Sequence, residues 1–157
     1  MQLLVKWLYL AALIVWVGEV VFFSFVVAPG VFRTFPPPAV EAGRVLNEVF
    51  PTYYKIGYAC GLVLLVTSLL LLRTASARLW PGVGTVVVAA MLAATVYAGV
   101  VILPRATALR PQIHDSAAPA GAKDEFDRLH RLAVTLNGGV LLGGIAISVI
   151  TAASIRP

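Results

Sequence analysis

Residues 83–103 read VGTVVVAAMLAATVYAGVVIL, twenty-one positions without a charged side chain. A helix rises ~1.5 Å per residue, so this run matches the ~30 Å hydrocarbon thickness of a bilayer. Trp80-Pro81-Gly82 leads into it and Pro104-Arg105 ends it. Three further runs share its length and character: 3–27, stopped by Pro29-Gly30; 52–72, opened by Pro51 and closed by Arg73; and 132–155, closed by Arg156-Pro157. The pattern predicts one all-α domain over 1–157, an antiparallel bundle of four transmembrane helices.

Composition agrees. Hydrophobic residues make up 60% of the chain and charged residues 12%, against roughly 25% charged in soluble domains. Too few charges remain to cover a water-facing surface, so the lipid bilayer is the solvent and the first partner. The net charge of +5 does not point to nucleic acid, because Lys and Arg are scattered between the apolar runs with no basic stripe. Such residues face lipid phosphates and set orientation. The one cysteine, Cys60, excludes an internal disulfide and any CxxC motif. The run after Lys6 is too long for a signal-peptide core and lacks an A-x-A exit, so it reads as a membrane helix. The expected location is a bacterial cytoplasmic membrane.

The connections differ. Segment 73–81 is short, which makes helices two and three antiparallel neighbours. Segment 31–50 carries Pro36-Pro37-Pro38 and then VEAGRVLNEVF, an amphipathic stretch suited to the interface. Segment 105–131 contains SAAPAGA, read as a flexible link, and then DEFDRLHR. This second short amphipathic segment continues into helix four, with Asp124–Arg128 and Asp127–Arg131 as i,i+4 pairs. Lys and Arg counts lean the Val27, Pro51, Pro104 and Arg131 ends toward the cytoplasm.

Between helices in lipid, small residues permit close approach. Gly57 with Gly61, and Gly139 with Gly143, form G-x-x-x-G pairs, expected to pack helices within the chain or, second, to join copies in a homo-oligomer. Polar residues recur at one depth. Counting inward at ~1.5 Å per residue puts Glu19 about 12 Å, Tyr58 and Tyr97 about 10 Å and Asn137 about 9 Å from the same side. Glu19 is costly, at roughly 2.5–3.5 kcal/mol near a helix centre. It should be protonated, paired or beside a wet cavity, with Trp16 and Phe23 as an aromatic wall. His130 and Asn137 share a stripe of helix four, and Arg105, Arg44 and Glu48 approach from the same side. The expectation is one candidate pocket: Glu19 and Asn137 at its floor, Tyr58 and Tyr97 at the same level, His130 and Arg105 toward its mouth. The competing reading makes the tyrosines interfacial, Asn137 interhelical glue and Arg105 a lipid-phosphate ligand.

No catalytic or metal-ligating set stands out. His114-Asp115 is the only acid–histidine adjacency, and two histidines with one apolar-run cysteine suit no soft-metal centre. An enzyme is therefore not expected.

Several motifs, in order and spacing, resemble the transmembrane protein 205-like family, small four-helix membrane proteins grouped under a domain of unknown function. They are WVGE at Trp16, Ala42-Gly43, FPTY from Phe50, LPRATA from Leu103, and Phe126, His130 and Asn137. Ala133 and Val134 stand where that family has small hydroxyl residues. The resemblance implies an association with tolerance to platinum drugs in animals. Three functions follow as expectations. The first is a transport or efflux component for a small solute or metal, with Glu19 as the proton- or cation-sensing group and His130 with Arg105 as the gate. The second is a protein that binds an apolar cofactor, quinone or haem. The third is an assembly subunit whose polar layer only fixes register. The small-molecule ligand itself is unknown.

Overall fold

The computed structural model describes residues 1–36, 40–75, 79–112 and 121–154. The triple proline beyond Pro36, Arg78, His114-Asp115, most of SAAPAGA and Arg156-Pro157 lie outside them. The described chain is all-helical, with four helices long and apolar enough to span a membrane: α1 Gln2–Thr34, α2 Val40–Thr74, α3 Leu79–Leu109 and α4 Ala122–Ser154.

These helices contain the four apolar runs and continue past them. At 1.5 Å per residue each is roughly 50 Å long, well beyond the ~30 Å hydrocarbon core. The amphipathic stretch VEAGRVLNEVF is the start of α2 rather than a separate interfacial piece, and Pro51 lies inside the helix rather than at its first turn. Pro29 and Pro104 do not stop their helices either. A proline removes an N–H and its ring collides with the carbonyl four residues back. In both helices a π-helical turn directly precedes the proline: Phe23–Val27 in α1 and Ala98–Ile102 in α3. There the Ala28 N–H donates to the Phe23 carbonyl and the Leu103 N–H to the Ala98 carbonyl, five residues back. The wider turn absorbs the misfit and re-aims the residues within it.

Each helix packs on the next, and α4 closes the ring against α1. The core holds Trp16, Val20, Leu64, Val88 and Ile147, all nearly inaccessible. Trp16 lies against the bare backbone of Gly57 and Gly61: a Cβ at Gly61 would stand 2.9 Å from the indole Cη2 and 2.7 Å from Leu92 Cδ1. That G-x-x-x-G face is occupied within the chain. On α4, Gly143 faces Met91 and Gly144 faces Val17, while Gly139 has open space where its side chain would be. Leu3, Trp7, Ile14, Phe22, Phe25, Leu142 and Val149 point outward, as lipid-facing positions do.

Polar groups seal the ends of the bundle. Tyr9 and Thr151 hydroxyls meet at 3.2 Å, tying α1 to α4 at one end. Thr107 donates to Asn47 at 3.5 Å near the other. Gly121 enters α4 at φ +95°, a left-handed geometry that a side chain would strain. Among the described residues the ion pair in the first turns of α4 is Lys123–Asp127 at 2.9 Å, so Asp127 pairs back to Lys123 instead of forward to Arg131, and Asp124–Arg128 does not form.

Candidate functional site

A cleft of about 480 Å³ opens among all four helices at the end of the bundle that holds the three prolines. Its walls are aromatic because one face of α2 repeats aromatics at helical spacing. Phe50, Tyr53 and Tyr54 project toward α1 and α3 from successive positions of that face. Phe23, re-aimed by the π turn, packs its ring 4.6 Å from that of Tyr53 and 5.3 Å from that of Phe50. Tyr54 stands edge-on to Tyr53 at 5.3 Å and stacks with Tyr58 at 6.3 Å. Such tilted and offset pairs contribute about 0.5–1.5 kcal/mol each beyond area burial.

The floor is hydrogen-bonded. The Tyr53 hydroxyl donates to Asn137 Oδ1 at 2.5 Å, and Asn137 Nδ2 donates to Ser24 Oγ at 2.9 Å. Three helices thereby meet at one amide. Ala133 and Val134 both line the cleft, so its hydroxyls come from Ser24 and Tyr53 on other helices.

The mouth is basic and aromatic. Arg110, one residue past α3, reaches across to α2 and donates through Nη1 to the Gly43 carbonyl. Only glycine allows this, since a Cβ at Gly43 would stand 2.9 Å from Arg110 Cδ. The guanidinium carbon is 5.8 Å from the centre of the Phe126 ring, a cation–π contact. His130 lies parallel to the same ring at 6.3 Å. Arg110 Nε is sealed from solvent and has no acceptor among the described residues. Burial lowers the Arg110 pKa from its ordinary value.

Of the residues expected in the pocket, Asn137, His130 and Phe23 line this cleft. Tyr58 stands behind it, stacked on Tyr54 with its hydroxyl against Gly99. Trp16 is in the core below it. Tyr97 is 46% exposed on the outer face of α3, and Arg105 is also exposed and outside the lining. Arg44 pairs with Glu41 at 3.4 Å on the surface instead of reaching the pocket, and Glu48 is exposed. Arg110, Ser24 and Tyr54 escaped the sequence reading, and Phe50 and Tyr53, quoted there within FPTY, were given no place in the pocket. The signal for Arg110 was present: a cation five residues beyond Arg105, on the same side of the bundle.

Glu19 is separate. Its two carboxyl oxygens are sealed, neither has a hydrogen-bond partner among the described residues, and its charge is within electrostatic reach of Tyr53 and Cys60. It therefore faces α2, one turn deeper than Phe23. A buried polar group left unmatched costs about 1–3 kcal/mol whichever protonation state it holds. Glu19→Met, which keeps the length and removes the polar atoms, should raise the unfolding free energy by about 1–3 kcal/mol. Glu19→Gln, which leaves an amide equally unmatched, should change it little. Thermal unfolding in detergent measures both, and a destabilised Glu19→Met protein would mean that the carboxyl is held by a partner. Among the described residues no three His, Cys, Asp or Glu side chains gather where they could hold a metal ion.

No curated protein matches the chain, and no solved structure does. A family model does, over residues 11–115, which spans most of α1 and all of α2 and α3, including Ser24, Gly43, Tyr53 and Arg110 of the cleft. With about two thirds of its length matched, the chain belongs to the family of the domain of unknown function DUF4149.

Proposed function

We propose that this chain is a membrane-embedded binding protein for an amphipathic organic small molecule held in the cleft among its four helices. One observation carries the reading: the cleft combines apolar aromatic walls with a hydrogen-bonded floor and polar groups only at floor and mouth. Ligand sites are built this way, mostly apolar with a few placed polar groups, in volumes of about 300–1,000 Å³. The cleft, at about 480 Å³, is within that range. A quinone-like ring would lie against the cluster formed by Phe23, Tyr53 and Tyr54, with a carbonyl accepting from the floor.

Native mass spectrometry of gently extracted protein, before and after incubation with decylubiquinone, tests this. Wild type should retain one bound organic molecule. Ala133→Trp, which fills the cleft from α4, should lose it. If both proteins are bare under all conditions, the reading fails.

A second reading, transport or efflux of a small solute, is favoured by Glu19. A sealed acid within the membrane seldom persists without a role, and this one lies five residues before Ser24 of the cleft floor. The finer resemblance to the transmembrane protein 205-like family, and a place in a bacterial cytoplasmic membrane, belong with this reading. Solute flux in liposomes that Glu19→Gln abolishes would support it. Equal flux for wild type, variant and empty liposomes across a broad solute panel would remove it.

A further inference from the structure

Arg110 is the group in the cleft that a quinone-like ligand leaves unexplained, and it is built into place with some care. Its guanidinium is clamped by the Gly43 carbonyl on one side and the Phe126 ring on the other. Glycine at 43 exists at the cost of a side chain to let it pass. Its Nε–H is sealed and has no acceptor among the described residues. The two ion pairs formed among the described residues, Glu41–Arg44 and Lys123–Asp127, are elsewhere on the surface. Arg110 is half-buried and no counter-charge reaches it among the described residues, and the cost of partly desolvating such a cation falls when an anion joins it. Guanidinium matches planar or tetrahedral oxyanions, with paired N–H donors. His130, parallel to the Phe126 ring at 6.3 Å, also lines the cleft and adds a second nitrogen donor. Below the mouth the lining turns apolar, through Leu46, Leu103 and Ile102, down to the aromatic rings.

We infer that the cleft takes an anionic amphiphile, its oxyanion headgroup at Arg110 and His130 and its hydrocarbon chain running down between Phe50, Tyr54 and Ile102. This rests on the binding reading above and narrows it to a ligand class. The shared chemistry is an oxyanion on an apolar chain, whether a free fatty acid or the phosphate end of a bilayer lipid.

The test compares oleate with oleyl alcohol, the same chain without the charge. Both are titrated into protein in phosphatidylcholine nanodiscs, with and without added phosphatidylglycerol, and binding is read by native mass spectrometry. Wild type should prefer oleate over the alcohol by about tenfold or more, the scale of one charge-assisted hydrogen bond. Arg110→Gln should bring that ratio near one, and Arg110→Lys should restore part of it. Gly43→Ala, which pushes the guanidinium aside while keeping its charge, should also reduce the ratio. Competition by phosphatidylglycerol would identify the headgroup source as membrane lipid, and its absence a free carboxylate; either outcome supports the oxyanion site. Equal affinity for oleate and alcohol in wild type would overturn the inference while leaving the binding reading intact. Binding of neither, with Ala133→Trp indistinguishable from wild type, would overturn both.

Discussion

Trp16→Ala should lower the unfolding free energy by about 3–5 kcal/mol, the range seen when a buried tryptophan is truncated. The indole is 1% exposed and fills the hollow left by two glycines one helical turn apart, so nothing near it can collapse into the vacated space. Lipid-solvated helices gain little from transferring apolar surface, but they depend on close van der Waals packing, and that is what the variant removes. Trp16 touches Gly57 and Gly61 while these face Thr95 and Leu92, so one side chain couples α1, α2 and α3. Reversible unfolding in mixed micelles would measure the loss, and a change below about 1 kcal/mol would contradict the packing described. Gly61→Ala supplies a second check. Alone it forces a Cβ within 2.9 Å of the indole and should destabilise. In the Trp16→Ala background the penalty should shrink, because contacting residues are not additive.

The same contact shows what the sequence made legible. A glycine pair at four-residue spacing in an apolar run marks a place where another helix comes close, and Gly57 and Gly61 do that. The rule was less informative on α4, where the one pair at that spacing is Gly139 with Gly143, and the packed positions are Gly143 and Gly144. Four spans were readable because twenty consecutive apolar residues have few alternatives to a membrane helix. Their ends were not, since Pro29 and Pro104 read as stops by local chemistry, whereas a π turn lets the helix absorb each one.

The site divides along a similar line. Depth can be counted from a loop, at a fixed rise per residue, and Asn137 stood out as an amide within an apolar run. Azimuth cannot be counted so surely. Tyr97 shares the depth of Asn137 yet lies on the outer face of α3, while Tyr53, nearer the loop, turns inward and takes the amide oxygen. Each π turn adds a residue to its helix, shifting every later position around the axis by about a quarter turn or more. Arg110 follows the α3 π turn and its placement depends on that shift, which periodicity read from an ideal 3.6-residue helix misses.

Gly99→Ala, inside the α3 π turn, should destabilise the protein by about 3 kcal/mol, the upper part of the overpacking range. A Cβ there would collide with the Tyr58 hydroxyl and stand 2.7 Å from Tyr54 Cγ and 2.9 Å from its Cδ1. Cγ is the ring atom nearest the backbone, so rotating the ring about its axis does not remove the clash. Tyr54 is also held by Phe50, Tyr53 and Tyr58. The strain must then move α3 away from α2, and with α3 goes Arg110, whose guanidinium is clamped on Gly43 of α2. The variant should therefore lose ligand discrimination at the mouth as well as stability, although Gly99 lines no part of the cleft. Gly143→Ala provides the contrast. Its new methyl would meet Met91 Sδ at 2.8 Å, a flexible thioether that can give way, and it lies at the α3–α4 contact remote from Arg110. A smaller destabilisation in Gly143→Ala, with oleate preference reduced only by Gly99→Ala, is the expected pattern. Equal loss of preference in both would mean that the mouth follows overall stability and that the π turn of α3 does not set its geometry.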